Sequence, residues 1–244
     1  MCANYIPVTR GDLLLAHFGV QRDVKQELPP ELYPTDLGPF VRLVNGHRQC
    51  EAGLFGLLPP WRREVAFGRN TYNSRSETVD TKASFKESWQ RGLRCVIPAE
   101  AVFEPRYNDD HTSERWRIEN DDGTPMGIAG VYSQWVDGGV EKFSYSMLTV
   151  NCDRHPFYSQ FHEPGKEKRM PIFLAPEEYD GWMSCALAQA PRFFRMWTGP
   201  LKGGPAARPK QPLRMNKVND EVEPERTKAL KRPRPEPPQQ ASLF

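Results

Sequence analysis

The sequence predicts an α+β fold built mainly from antiparallel strands. Asn45-Gly46 separates two alternating segments, and this dipeptide accepts the positive φ angles of a tight hairpin turn. Asp122-Gly123 and Asp137-Gly138 separate further segments that are rich in β-branched and aromatic residues. Few helical segments lie between these strands, which favours hairpin connections over alternating strand–helix units.

The sequence predicts three helices and seven strands. A capping pattern and an apolar face predict a helix over about 10–18. A second capping pattern at Ser84 predicts a helix that runs to Arg91, and Pro176 opens a third helix through about Leu187. Strands are expected over 40–44, 48–55, 94–103, 116–119, 126–136, 142–150 and 170–174.

Composition limits the class of protein. The chain has 244 residues, of which 38% are hydrophobic and 26% charged, and this length fits one large domain with a tail. Neither a membrane-spanning apolar run nor a signal segment is evident, so we expect a cytoplasmic protein with reduced cysteines. Without Cys-x-x-Cys pairs no metal site is expected, and Cys152 with His155 reads as ordinary loop sequence rather than half a site.

Cys2 directly follows the initiator methionine, which is normally removed before so small a residue. The mature chain then begins with a free α-amine and a free thiol on adjacent carbon atoms. Their reference pKa values are about 7.7–8.0 and about 8.5, so useful fractions of both are unprotonated near neutral pH. Such an aminothiol condenses with an aldehyde to a thiazolidine ring, which an internal cysteine cannot form. The alternative is an unordered terminal residue without a role.

Three further polar groups accompany this terminal cysteine. Asn73 lies in a polar segment that reads as a loop, where it could equally cap the helix that follows. Glu104 ends an apolar strand, either as a buried acid or as an exposed carboxylate. His162 precedes an Arg-Met-Pro run at 169–171, and His155 is its rival as the functional histidine.

These motifs together resemble the SRAP family, the SOS response-associated peptidases that crosslink to abasic sites in DNA. The features that carry the resemblance are Met1-Cys2, the Asn-x-Arg-x-Glu-Thr run from Asn73, Phe103-Glu104, the spacing from Thr149 to His162, and Arg169-Met170-Pro171. They extend over roughly 1–220. The resemblance implies that 1–220 is a catalytic domain with a barrel-like β-sheet core and a few flanking helices.

The resemblance also implies a function, which is the covalent capture of abasic sites in single-stranded DNA. It implies lyase-type activity, autoproteolytic or peptidase character, no cofactor and a nucleoid-associated location. Cys2 is the expected nucleophile through its nitrogen and its sulfur, and Asn73 is expected to hold its amine. Glu104 is expected to protonate the sugar ring oxygen as a general acid, and His162 to shuttle protons.

DNA contacts are expected from four residues. Arg75 and Arg169 are expected to bind phosphates, with Thr149 beside them. Trp61 offers a stacking face, unless it packs in the core. The sequence departs from the family at two places that concern DNA binding. Position 4 is Asn4 where the family has arginine, and six residues, rather than the family's usual one, separate the histidine from Arg169.

The C-terminal segment differs in composition from the rest of the chain. Residues 200–244 hold ten Lys or Arg against five Asp or Glu, and nine of the 24 prolines. We therefore expect 221–244 to be a basic, flexible tail. Its last residues, 240–244, resemble the bacterial sliding-clamp binding motif through Gln240, Leu243 and Phe244. The clamp is thus an expected partner besides abasic single-stranded DNA, whereas a membrane is not.

Two hypotheses from other classes stay open. The first is a cysteine-dependent peptidase or amidohydrolase that pairs Cys2 with His162. The second is a non-catalytic module that binds single-stranded DNA. Reaction with an aldehyde separates the leading hypothesis from the hydrolase, because only an aminothiol forms a stable ring.

Overall fold

The computed structural model describes residues 2–21 and 28–208. The strands are β1 (Tyr5–Pro7), β2 (Leu37–Val44), β3 (His47–Phe55), β4 (Asn73–Arg75), β5 (Arg94–Tyr107), β6 (Ser113–Asn120), β7 (Met126–Asp137), β8 (Val140–Asn151), β9 (Arg169–Pro171), β10 (Phe173–Leu174) and β11 (Leu201–Pro205). The α-helices are α1 (Gly11–Phe18), α2 (Ala83–Gln90) and α3 (Tyr179–Ser184). Short 3-10 helices cover Val65–Asn70, Tyr158–Gln160, Pro176–Glu178 and Leu187–Phe193.

Five strands close into a barrel. β2 pairs with β3 and β5, β7 pairs with β5 and β8, and a parallel contact between β3 and β8 completes the ring. β4 also runs parallel to β8, whereas the other described pairings are antiparallel. The predicted α+β class with a mostly antiparallel, barrel-like core is therefore confirmed.

Alternation along the strands gives the sheet two apolar faces. Phe40 and Ile97 belong to a buried cluster on one face, and their neighbours Val41 and Val96 belong to a second cluster. The second cluster includes Trp182 of α3 together with apolar residues of α1 and α2. The helices thus cover the outside of the barrel, and the first cluster fills the inside.

The hairpin predicted at Asn45-Gly46 is confirmed, with φ angles of 51° and 80° at the two turn residues. The predicted loop at 73–75 is wrong, because these residues form β4. The predicted strand at 170–174 is interrupted between β9 and β10, and the predicted third helix divides into α3 flanked by 3-10 turns. The expected side-chain caps of α1 and α2 do not form, since Arg10 and Lys82 occupy the cap positions.

Several predictions concern residues outside the described part of the chain. These are the domain boundary at 220, the tail 221–244 and the clamp peptide with Gln240, Leu243 and Phe244. Within residues 2–21 and 28–208, no helix is both long and apolar enough to cross a membrane.

Candidate functional site

The N-terminal residue is held inside the fold by two strands. Cys2 lies just before β1, which pairs with the end of β5 through Tyr5 and Val102, and its side chain is only 1% exposed. Asn73, the first residue of β4, donates its side-chain amide to the Cys2 carbonyl over 2.8 Å. The Asn73 Oδ1 atom is buried and accepts no hydrogen bond within the described residues. The Asn73 amide therefore fixes Cys2, and its Oδ1 atom can still accept a further hydrogen bond.

Glu104 and His162 form a buried pair at the end of β5. The Glu104 side chain is fully buried, and its Oε2 atom lies 3.5 Å from His162 Nδ1. The other ring nitrogen, Nε2, donates to the Arg169 carbonyl over 2.7 Å, since a carbonyl oxygen only accepts. The Nδ1 atom therefore faces the carboxylate.

The backbone places this histidine by an uncommon conformation. His162 has a φ of 65°, and its backbone N–H donates to the Pro105 carbonyl over 2.8 Å. Its rival His155 lies elsewhere: its Nε2 atom donates to the Trp197 carbonyl, and its Nδ1 atom accepts from the Tyr158 backbone N–H. The structure thus brings His162, and not His155, beside the buried carboxylate.

The pairing of β1 with β5, in which the Phe103 backbone N–H donates to the Asn4 carbonyl over 3.0 Å, brings Cys2 towards Glu104. Burial, and next the charge of Glu104, raises the pKa of the Cys2 thiol well above its usual range. Burial and the same carboxylate raise the pKa of the Cys152 thiol to about 12. Tyr158, whose side chain is fully buried, also has a raised pKa from burial and then from Glu104 and Cys2. Sequence reasoning missed the last two residues, because no local pattern marks a tyrosine or an internal cysteine as a neighbour of the N-terminus.

The residues predicted to contact DNA divide into two groups. Arg75 has a side chain that is 48% exposed, although it pairs with Glu167 over 2.8 Å. Trp61 is 60% exposed and rests one edge on Phe67, so the alternative of core packing does not apply. Both side chains are available to a ligand in solution.

Arg169 and Thr149 are instead buried, with exposed fractions of 2% and 1%. Arg169 donates to the hydroxyl and the carbonyl of Thr149 over 3.1 and 2.7 Å. It also pairs with Glu77 and Glu167 over 2.8 and 2.5 Å. A phosphate can reach this guanidinium only if these contacts break, whereas the Arg169 carbonyl already orients His162.

Asn4, where an arginine was expected, takes part in a different network. Its side chain is 7% exposed and donates to the Leu32 carbonyl over 3.1 Å. Arg115 of β6 donates to Asn4 Oδ1 and pairs with Glu31 over 2.7 Å. The same guanidinium lies 3.3 Å from the centre of the Phe103 ring. The Arg115 guanidinium of β6 therefore lies beside Asn4 and links the start of β1 to β6.

Comparisons with known proteins find similar sequences and a similar fold. The family model of the SOS response associated peptidase (SRAP) matches residues 1–224. The abasic site processing protein YoaM of Bacillus subtilis (strain 168) is 24% identical over 188 residues, which are 75% of this chain and 79% of YoaM. The abasic site processing protein HMCES of Mus musculus is 28% identical over 160 residues, which are 51% of this chain and 41% of HMCES. A crystal structure of a Bordetella bronchiseptica protein, 28% identical in sequence, aligns with a TM-score of 0.77 and covers 85% of this chain and 100% of that chain.

Proposed function

The chain belongs to the SOS response associated peptidase (SRAP) family, and on that premise we propose that it captures abasic sites in single-stranded DNA covalently through Cys2. One observation carries the proposal. The Asn73 amide binds the Cys2 carbonyl over 2.8 Å, while the pairing of β1 with β5 brings Cys2 towards Glu104, which lies 3.5 Å from His162. An aminothiol, an acid and a proton carrier are the groups that this capture needs.

The chemistry begins with hydrolysis of the Met1–Cys2 bond, which releases the α-amine. An abasic deoxyribose opens when its ring oxygen gains a proton and its C1′ hydroxyl loses one, which leaves an aldehyde. The Cys2 amine adds to C1′, and the resulting carbinolamine gains a proton and loses water to give an iminium ion. The sulfur then adds to the same carbon and its proton leaves. Amine, thiol and aldehyde thus become one thiazolidine and one water.

The buried pair supplies the protons for these steps in our proposal. Glu104, with a proton shared with His162 Nδ1, protonates the ring oxygen and later the departing hydroxyl. Once it is ionised, Glu104 accepts the proton of the Cys2 thiol. The Asn73 Oδ1 atom accepts a hydrogen bond from the Cys2 α-amine and so orients this amine towards C1′ of the sugar.

DNA binding in this proposal relies on the exposed residues. Arg75 contacts the phosphate backbone after exchanging its partner Glu167 for a phosphate. Trp61 stacks on a base, a contact that is independent of base identity and so suits damage at any sequence. We assign Arg169 and Thr149 to positioning His162 and β4 rather than to DNA.

The test is incubation with a single-stranded oligonucleotide that carries one abasic site, followed by a denaturing gel and mass spectrometry. We expect an adduct whose mass is the sum of oligonucleotide and Met1-free protein less one water. Cys2→Ala is expected to abolish it, and Cys50→Ser, which removes a partly exposed internal thiol, to leave it intact. An adduct that survives in Cys2→Ala, or intact protein that retains Met1, contradicts the proposal.

The hydrolase alternative receives less support from the geometry. A thiol hydrolase needs a histidine nitrogen that takes the proton of the Cys2 thiol. In His162, Nε2 donates to the Arg169 carbonyl and Nδ1 faces Glu104. Hydrolysis of peptide substrates by the Met1-free protein, blocked in Cys2→Ala, favours the alternative if it occurs without any adduct to abasic DNA.

We further propose that the C-terminal peptide 240–244 docks on the bacterial sliding clamp. Its support is the sequence alone, in which Gln240 is followed by a small residue and then by Leu243 and Phe244 behind a basic, proline-rich segment. Clamp binding would concentrate the protein at replication forks, where single-stranded abasic sites arise. Deletion of 240–244 is expected to weaken binding to purified clamp, and equal binding contradicts this part of the proposal.

A further inference from the structure

Tyr158 carries a polar atom in a setting where polar atoms are rarely left alone. Its side chain is fully buried, and its hydroxyl makes no hydrogen bond to any described residue. Native proteins pair nearly all buried polar side-chain atoms, because an unpaired one loses its hydration without compensation. The Tyr158 hydroxyl is therefore able to form a hydrogen bond with a bound ligand.

The ring of Tyr158 is fixed in place by its neighbours. It packs edge-on against Phe161 at 5.6 Å and against His155 at 5.7 Å between ring centroids. The Tyr158 backbone N–H donates to His155 Nδ1 over 2.9 Å, which anchors the start of its 3-10 helix. The hydroxyl is consequently presented from a rigid support, and Phe161 directly precedes His162 in the chain.

Tyr158 packs in the same apolar interior as Cys2 and contacts Phe161, the residue before His162. Tyr158, Cys2 and Cys152 belong to the same buried cluster. After burial, the groups that raise the Tyr158 pKa are Glu104, Cys2 and Cys152, in that order. The hydroxyl thus stays protonated at neutral pH and acts as a hydrogen-bond donor, not as a base.

We propose that Tyr158 is a further catalytic residue, whose hydroxyl donates a hydrogen bond to the C1′ oxygen of the abasic sugar while the Cys2 amine adds to that carbon. This inference rests on the proposed function, because it assigns the donor for the same reaction. The donor stabilises the charge that develops on the oxygen during attack, and it holds the carbinolamine hydroxyl as Glu104 protonates it. No proton leaves Tyr158, and the oxygen departs as water.

The test compares Tyr158→Phe with the unchanged protein, both with Met1 removed. The crosslinking rate at saturating abasic oligonucleotide is expected to fall about 10- to 100-fold, the low end of what one positioned donor contributes. The oligonucleotide concentration at half-maximal rate is expected to stay the same. The melting temperature is expected to stay equal or to rise, because the phenylalanine keeps the ring and removes an unpaired hydroxyl.

Tyr132→Phe is the matched control, since this tyrosine is also buried but lies on β7 beside Arg42. It is expected to leave the crosslinking rate unchanged. An equal rate in Tyr158→Phe and the unchanged protein overturns the role of Tyr158 alone. A rate loss that accompanies a lowered melting temperature assigns Tyr158 to packing and overturns it as well. Failure of the unchanged protein to crosslink overturns the proposed function and this inference together.

Discussion

Replacement of Arg169 by methionine separates two roles for this residue, support of the site and contact with DNA. Methionine retains the unbranched apolar stem but donates no hydrogen bond. The change therefore removes two buried hydrogen bonds to Thr149, over 3.1 and 2.7 Å, and two ion pairs with half-exposed glutamates. The guanidinium cannot be replaced by water, because the side chain is 2% exposed.

The magnitude follows from these contacts. Hydrogen bonds that involve a charged group contribute about 1.5–3 kcal/mol each. Ion pairs with exposed partners add about 0–1 kcal/mol each, and the partners Glu77 and Glu167 are 49% and 36% exposed. Together these contacts contribute about 3–8 kcal/mol, and we expect Arg169→Met to lower the free energy of unfolding by at least about 3 kcal/mol. For a domain of this size that corresponds to a fall in melting temperature of roughly 10 °C.

The assay combines urea unfolding with the salt dependence of binding to an intact single-stranded oligonucleotide, which cannot crosslink. Arg169→Met is expected to keep the slope of log affinity against log salt concentration. Arg75→Met, the same substitution at an exposed position, is expected to reduce that slope by about 0.7 with little loss of stability. A reduced slope with unchanged stability in Arg169→Met refutes the supporting role and restores the DNA contact predicted from the sequence.

The pH dependence of stability gives a second measure of the same contacts. Burial opposes ionisation of Glu77 and Glu167, but the hydrogen bonds and charge of Arg169, together with other nearby hydrogen bonds, outweigh it and hold both pKa values below their usual range. A lowered pKa in the folded state stabilises the protein above the unfolded value of about 4.3, and this contribution is lost as pH falls through the folded values. Arg169→Met is therefore expected to flatten the stability curve below about pH 4.5. An equally steep loss in both proteins contradicts this assignment.

Three further substitutions test the framework around the site. Gly56→Ala places a Cβ atom 2.3 Å from the Gly68 carbonyl oxygen at a φ of 126°, so we expect a loss of at least about 3 kcal/mol in urea unfolding; near-native stability argues against this close approach. Arg115→Met leaves the partly buried Glu31 without its cation and is expected to lower the free energy of unfolding by about 3 kcal/mol and to slow crosslinking; a fully stable, fully active variant contradicts the anchoring of β1. Trp61→Ala is expected to weaken single-stranded DNA binding by about 1–3 kcal/mol at unchanged melting temperature, and equal affinity rules out the stacking contact.

Local signals predicted the parts of the fold that local chemistry determines. The turn at Asn45-Gly46 was predictable because few other dipeptides adopt positive φ at both positions. By contrast, β4 is three residues long and polar, and it becomes a strand only through parallel pairing with β8, far along the chain. Closure of the barrel through β3 and β8 depends on the same kind of distant contact, for which alternation along one segment carries no signal.

The candidate site was likewise predictable only in part from the sequence. Sequence motifs and the family resemblance identified Cys2, Asn73, Glu104 and His162, and the structure joins Asn73 to Cys2 and Glu104 to His162. The exact partner of Asn73 was not predictable, since the amide binds the Cys2 carbonyl in this structure rather than its amine. Tyr158 was not predictable either, because its proposed role depends on a hydroxyl that is buried without a hydrogen-bond partner among residues 2–21 and 28–208.

Burial of the terminal cysteine also determines the order of events in the proposed reaction. Burial keeps the Cys2 thiol protonated, so the sulfur is a poor nucleophile before DNA arrives. The amine must therefore add first, and the iminium ion that follows places a positive charge beside Glu104. That charge lowers the cost of ionising the thiol at the moment when the sulfur is needed. A site that suppresses the free thiolate thus protects Cys2 from unrelated electrophiles and still closes the ring once the aldehyde is bound.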